Sequence, residues 1–422
     1  RDMHDGAGAH LIAAIRQVDP NHLIILEGNG YGNNYRGILP LPDPNLVLSI
    51  HEYWGDPRAD FESRSELRSD WNMPLWLGES GENHNDWFRD VVREAESRNV
   101  GWSWWPWKKF ESTAGTVTFP RTPGYQAILD YWVQKGPRPS ANDAARALIE
   151  LAQQTRIENC VLHPDVFDAL ARPDTQGQTV PFANHQVPGL IFAAHYDMGR
   201  QGEAYSDGSL DAWADHNRGY SYRNDFVDIE ACTDVQPSVG FNVAYLTSGE
   251  WLKYTLDVQH DGWYRVRARV AADNNAVIGD LALSLDGASL GTVDVTSTLG
   301  WQEWATRIVA SRVFIAAGDR RVLRADVVAG GDFNVHWIDF SLLEPWNGPA
   351  IAGCRLMPDR RSVAVTWNTL PGRSYHLESR TDLVFGGWET IGPSTVAAGW
   401  TLGRTNLLGS EPGRFYRVVE TP

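Results

Sequence analysis

The chain is poor in three things, and each shortage excludes something. It has three cysteines in 422 residues, Cys160, Cys232 and Cys354. They are too far apart to match a metal-ligand spacing and too few for a disulfide framework, so cysteine does not indicate a compartment. Basic residues are outnumbered, 37 Lys and Arg against 53 Asp and Glu, a formal net charge of -16. That balance argues against nucleic acid and anionic membrane surfaces as partners, since both call for basic patches. No apolar run approaches the roughly 20 residues of a membrane-spanning helix. The first residue is Arg1 rather than Met, which leaves a processed or a truncated start as the two expectations.

Tryptophan is abundant, with 19 residues. Flat apolar rings suit sugar-binding surfaces, although Trp is also core material. The length predicts two or three domains. From residue 7 to about 139, helical spacing ("AGAHLIAAIRQV", "DWFRDVVREAES") alternates with short buried-strand runs ("HLIILEG", "LVLSIHEYW", "VGWSWWPWK"). Leu, Ile and Val without polar alternation predict strands covered on both faces, as in a parallel α/β sheet or barrel. Residues 140–172 read as a helical extension with Ser140 as an N-cap. Residues 173–189, polar and punctuated by Pro and Gly, have the composition of a linker. Residues 190–344 turn to period-two runs such as "EWLKYTLDV" and "FNVHWIDFSLL", a β-sandwich pattern. Residues 350–422 read as a further small all-β domain. The expected fold is thus multidomain: a partial (β/α)8 barrel, a jelly-roll-like β-sandwich and a small β domain.

Three strand ends in the first region carry groups capable of chemistry: Glu27 in "LEGN", His51 and Tyr53 in "HEYW", and Glu79 in "LGES". Isolated charges are usually solvated, yet C-terminal strand ends are where barrel enzymes place their sites. "HEYW" and "LGESGEN" resemble the sixth and seventh strand ends of glycoside hydrolase family 5, and "GWSWWPWK" resembles its eighth strand. The resemblance implies Glu79 as a retaining nucleophile, His51 and Tyr53 as its neighbours, and Trp105 as a sugar platform. Glu82, past the turn, is expected at a helix start or the rim, Asn83 as a substrate contact, and Glu27 as a carboxylate at the rim or behind the reacting groups.

Retaining glycosidases need a second carboxyl group about 5–5.5 Å from the nucleophile. The family carries it in an Asn-Glu-Pro after the fourth strand, and this sequence contains no Asn-Glu-Pro. "RDMHDGAGAHLIAAIRQVDPNHLIILEGN" is similar to the family's fourth helix and fifth strand, so the expectation is half a barrel with an exposed edge and an artificial start. The chain alone is then expected to be inactive; a rival expectation has Glu27 replace the missing acid.

Residues 190–344 resemble carbohydrate-binding module family 6 through "HNRGYSYRNDFVDIE", "FNVAYLTSGEWLKYTLDV", "TLGWQEW" and "GGDFNVHWIDF". The resemblance implies a sugar clamped between Tyr245 and Trp301 and fixed by the Asn334 amide. Trp251, Tyr254, Trp304 and Trp337, in strand patterns, are expected in the core. The family often holds a structural Ca²⁺ through an Ile-x-Ala-Glu strand. Here Ala194 stands at the Glu position, and Asp339 is one oxygen ligand where Ca²⁺ takes six to eight.

The last segment resembles small fibronectin-like domains of secreted polysaccharide enzymes. The expected function is therefore a piece of a secreted retaining glycoside hydrolase with a sugar-binding module. Its partner would be a β-glucan, xylan or related polysaccharide, and no cofactor is required for catalysis. The alternative is a carbohydrate-binding protein with an inert barrel remnant.

Overall fold

The computed structural model describes residues 7–40, 43–208, 222–273, 279–411 and 413–421. The first residues of two motifs quoted above, up to Gly6 and up to Ser221, lie outside the described residues. The chain forms two compact units, residues 1–343 and 344–422.

The first unit opens on helix α1 (Ala7–Val18) and four parallel strands in sequential order, β1 (Ile24–Glu27), β2 (Leu46–Glu52), β3 (Leu75–Ser80) and β4 (Gly101–Trp102). Strand β2 is buried at every position, which explains its lack of polar alternation. Helices α2 (Pro57–Trp71) and α3 (Asn85–Ser97) connect successive strands. Helix α3 buries Trp87, Phe88, Val91, Val92 and Ala95, the one-face spacing of its 3.6 period, against Leu48, Ile50 and Leu77 of the sheet. Strand β1 is the sheet's edge, and its flank exposes about half of Leu23 and Ile25. "VGWSWWPWK" supplies only a two-residue strand, because the chain leaves the sheet after Trp102 to place Trp105 beside the β3 turn.

Beyond β4, strand β6 (Val117–Phe119) pairs with β5 (Lys108–Phe110) on one side and β7 (Val161–Leu162) on the other, flanked by helices α4 (Pro123–Trp132), α5 (Ala141–Gln154) and α6 (Pro164–Ala171). Ser140 caps α5 by accepting the Asp143 amide at 3.1 Å. Residues 140–172 are not a mere extension. Val166, Ala169 and Leu170 of α6 complete the α/β core, and Arg89 of α3 pairs with Asp168.

Residues 173–189 are not a free linker either. Strand β8 (His185–Val187) joins the sandwich beside the later strand Trp251–Val258, and Val187 is fully buried. Thr179 donates to the buried Asp197 at 2.7 Å, while Val180 and Met198 exchange backbone bonds. Polar composition here reflects side chains that find partners, which composition alone does not reveal.

The sandwich continues with β9 (Gly189–Phe192), β10 (Tyr205–Ser206), β11 (Ile229–Ala231), β12 (Phe241–Thr247), β13 (Trp251–Val258), β14 (Gly262–Ala272), β15 (Gly279–Leu285), β16 (Ala288–Val295), β17 (Gly300–Ile315), β18 (Gly318–Ala329) and β19 (Gly331–Pro345). One sheet runs β10-β13-β18-β15-β16 with β8 on β13; the other runs β11-β12-β19-β14-β17 with β9 on β19. Alternate residues face inward, Leu252, Tyr254 and Leu256 from one sheet and Tyr264, Val266 and Ala268 from the other. Of the four aromatics expected in the core, only Tyr254 is there. Trp251 is half-buried on an outer face under the Arg324 guanidinium, Trp304 packs against His336, and Trp337 is also only partly buried.

The α/β part and the sandwich meet through buried polar groups. Asn224 donates to the Asn83 carbonyl at 2.8 Å, and its amide donates to Asp165 at 2.8 Å. Asn83, expected as a substrate contact, is therefore a junction residue through its backbone carbonyl. Burial pushes the Asp86 carboxyl up to about 6 and holds the His84 imidazole down to about 4. Between pH 4 and 6 the folded chain keeps a proton on Asp86 that the unfolded chain releases, so this contribution to stability falls as pH rises. His84 works oppositely, because the unfolded chain binds the extra proton up to its ordinary 6.5, and the two slopes largely cancel. In Asp86→Asn only the His84 slope remains. Its unfolding midpoint is expected to climb more steeply than the wild type's from pH 4 to 6, by on the order of 2 kcal/mol of stability. Parallel profiles would reject this account.

The second unit has β20 (Ile351–Leu356), β21 (Ser362–Asn368), β22 (Ser374–Arg380), β23 (Glu389–Val396), β24 (Thr401–Leu407) and β25 (Phe415–Thr421). They form sheets β20-β21-β24 and β23-β22-β25 around Val365, Trp367, Tyr375 and Leu377. The boundary lies at Glu344, slightly before the expected 350. Trp367 is 2% exposed in a core this small, so Trp367→Ala is expected to cost about 3–5 kcal/mol. Hydrogen exchange at β21 and β22 amides measures the loss.

Candidate functional site

Parallel register places His51 opposite Glu79 and Glu27 opposite Ser49, so three strand ends converge. The Tyr53 hydroxyl donates to Glu79 Oε2 at 3.3 Å, and His51 Nδ1 lies 3.4 Å from the same oxygen. Burial first, and then Glu79, raise the Tyr53 phenol well above its ordinary range, so it remains a hydroxyl that donates to the carboxylate. The loop after β1 closes over the imidazole. Asn33 accepts the His51 amide at 2.9 Å, and a Cβ on Gly32 would sit 2.8 Å from the ring, at a φ of +84°. Only glycine fits there.

The Gly78-Glu79-Ser80-Gly81 turn is fixed by a segment that is distant in sequence. A Cβ on Gly81 would meet the Trp105 carbonyl at 2.2 Å, and the Trp105 amide donates to the Ser80 carbonyl at 2.8 Å. The missing side chain lets the Trp105 backbone dock on the turn, and the Trp105 ring is half-exposed. Glu82, at a left-handed φ of +56°, turns away and pairs with Lys109. The buried Glu52, raised to about 8 by burial despite Arg64, faces α2 instead. A perturbed carboxyl is no marker of the site here.

Glu27 takes the second of its two expected places, behind the histidine: His51 Nε2 lies 3.1 Å from its Oε1. The imidazole thus stands between Glu27 and Glu79. Glu27 is engaged with the same imidazole that contacts Glu79. "LEGN" signals a strand end, but only the tertiary register shows which histidine it meets.

In the sandwich, Tyr245 sits on an irregular stretch of β12 at a φ of +53°, and its ring lies 5.4 Å from that of Trp301, tilted by 56°. A pyranose between two rings needs about 7–8 Å, two carbon contact distances. The rings therefore form a wedge and not an open clamp. Asn334 also departs from expectation. It is fully buried, its Oδ1 accepts the Tyr245 amide at 3.0 Å, and its Nδ2 donates to Glu230 at 2.7 Å and to the Trp301 carbonyl at 2.8 Å. Both donors are committed, so Asn334 ties together the two strands that carry the rings. The wedge opens on a cavity of about 690 Å³, also lined by Asp228, Thr247, Glu250 and Asp332. These carboxylates were not anticipated, although Glu250 in "SGEW" directly precedes a strand.

The residues present do not fit the implied Ca²⁺. Ala194 offers no side-chain oxygen, and Asp339 accepts from Arg267 at 2.8 and 3.0 Å and from Ser341 at 2.6 Å. A fixed guanidinium beside the remaining carboxylate repels a second cation. Among the described residues no group of three or more His, Cys, Asp or Glu could hold a metal ion.

Comparison with known proteins follows the same division. The model of "Cellulase (glycosyl hydrolase family 5)" matches residues 4–111, and that of "Carbohydrate binding module (family 6)" matches residues 220–342. Two segments of the chain thus match family models, one part of a family 5 glycoside hydrolase domain and the other a family 6 carbohydrate-binding module. The chain is similar to the clotting factor G alpha subunit of Tachypleus tridentatus, 31% identical over 161 residues, which are 37% of this chain. The chain spans 20% of that relative's length. Similar solved structures include the C-terminal family 6 module of a marine laminarinase from Zobellia galactanivorans, at 25% identity, 36% of this chain, 98% of that one and a TM-score of 0.27. Another is a module of a Cellvibrio mixtus lichenase in complex with cellotriose, at 26% identity, 37% and 97% coverage and a TM-score of 0.26.

Proposed function

We propose that the chain is the polysaccharide-binding portion of a secreted, retaining glycoside hydrolase acting on β-1,4-linked glucan. In the parent enzyme Glu79 is the nucleophile, His51 and Tyr53 hold it, and Trp105 supports the cleaved sugar. The carrying observation is the convergence of the Tyr53 hydroxyl and the His51 imidazole on one Glu79 oxygen at parallel strand ends. The Tyr245–Trp301 wedge tethers the enzyme to its polymer, which raises its local concentration there. The fibronectin-like reading of residues 344–422 makes that unit a spacer or attachment module.

Since His51 separates Glu27 from Glu79, this chain by itself acts as a binding protein. Affinity electrophoresis through gels containing hydroxyethylcellulose, barley β-glucan or xylan tests the reading. Retardation by a glucan, with no release of reducing sugar from it, is the expected result. Free migration through all three gels would refute the tethering role.

A further inference from the structure

A cavity of about 470 Å³ lies where the sandwich meets the segment that follows the parallel sheet. Neither Glu79 nor the Tyr245–Trp301 wedge lines it, and its volume falls in the range of small-ligand sites, about 300–1,000 Å³. One wall is aromatic. The Tyr222 and Phe241 rings stack at 4.5 Å and 23°, and Phe182 meets Tyr222 edge-on at 5.8 Å. The opposite wall comes from β7 and the start of α6, namely Val161, Leu162, His163 and Asp165. Val161 and Leu162 are each more than half exposed, so apolar surface is presented there to solvent.

Asp165 sets the chemistry. It is 2% exposed, and its Oδ2 accepts from Asn85 and from the Asn224 amide, both at 2.8 Å. Its Oδ1 is buried and has no hydrogen-bond partner among the described residues. A buried carboxylate oxygen without a donor is costly, on the order of 1–3 kcal/mol or more, and is normally satisfied by water or a ligand. The neighbouring polar groups are already engaged. Thr118 Oγ1 lies 2.8 Å from His163 Nε2, and Glu111 pairs with Arg121 at 2.8 Å.

Stacked aromatic rings and a buried carboxylate lining one cavity suit a ring with an apolar face and hydroxyl edges. It disfavours an anion, which Asp165 and Glu111 would repel. We propose that this junction cavity is a second saccharide site, taking one or two pyranose units of a neutral glucan, with a sugar hydroxyl donating to Asp165 Oδ1. The α/β part would then be a wall of a binding site as well as a remnant of an enzyme. The proposal does not depend on the reading of the Tyr245–Trp301 wedge.

The test uses the full chain carrying Trp301→Ala, which silences the wedge, titrated with cellobiose and observed by saturation-transfer NMR. Residual millimolar binding is expected, weakened at least fivefold by Leu162→Arg, which plugs the mouth from an exposed position. Asp165→Asn, which replaces the free acceptor, is expected to weaken it similarly, with unfolding midpoints checked for both variants. Loss of all cellobiose binding in Trp301→Ala alone would overturn the proposal. So would residual binding indifferent to Leu162→Arg, which would mean that Asp165 is satisfied by water only.

Discussion

Trp301→Ala is expected to weaken binding of soluble cello-oligosaccharides by at least thirtyfold, about 2 kcal/mol, the loss of an aromatic hot spot. The ring lies at the mouth of the 690 Å³ cavity and supplies, with Tyr245, its flat apolar surface. The fold should survive the change. Asn334 holds the Trp301 carbonyl, not its side chain, and Gln302 remains bonded to Glu230 at 2.6 Å. Trp304→Ala provides the contrast, since Trp304 packs on His336 and does not line the cavity, and its effect on affinity should be within about twofold. Isothermal titration with cellotetraose decides the matter. Equal affinities in wild type and Trp301→Ala would remove Trp301 from the site.

The second large effect concerns Glu79 and relies on separating the two halves of a retaining mechanism. A 2,4-dinitrophenyl glycoside expels its leaving group without protonation, so the attack of a nucleophilic carboxylate on the anomeric carbon needs no general acid. Incubation with 2,4-dinitrophenyl 2-deoxy-2-fluoro-β-cellobioside is expected to release dinitrophenolate and leave one glycosyl ester on Glu79. With no base to activate water, the ester should persist and appear as a mass increase. Glu79→Gln should abolish it. Labelling that survives Glu79→Gln would dismiss the assignment, and hydrolysis of unactivated cellulose lost in Glu27→Gln would reinstate Glu27 as the acid.

The contrast between the two sites shows what each level of description contributes. The loop-end aromatics and the Gly-Glu-Ser-Gly turn are legible because each lies in a contiguous motif that resembles a known family. Gly81 must be glycine for the Trp105 carbonyl to approach, and Tyr245 and Trp301 follow or interrupt strand patterns that a reader can count. Asn334 is different. Its neighbours in sequence mark a strand, but its side chain spends its hydrogen bonds on residues 89, 104 and 33 positions away. Nothing local distinguishes an amide that meets a sugar from one that binds two strands together.

Motif resemblance implied the grouping of Glu79 with His51 and Tyr53, while the sequence by itself determined the order of elements, the alternation that divides helix-rich from strand-rich regions and the Ser140 cap. Periodicity and turn chemistry act over a few residues, and they suffice for these. Only the tertiary structure decided that residues 173–189 are part of the sandwich, that Asn83 is a junction residue, that His51 parts Glu27 from Glu79, and that Arg267 occupies Asp339. Each of these depends on which polar groups meet across long separations, where burial makes an unpaired partner costly and pairing therefore dictates position.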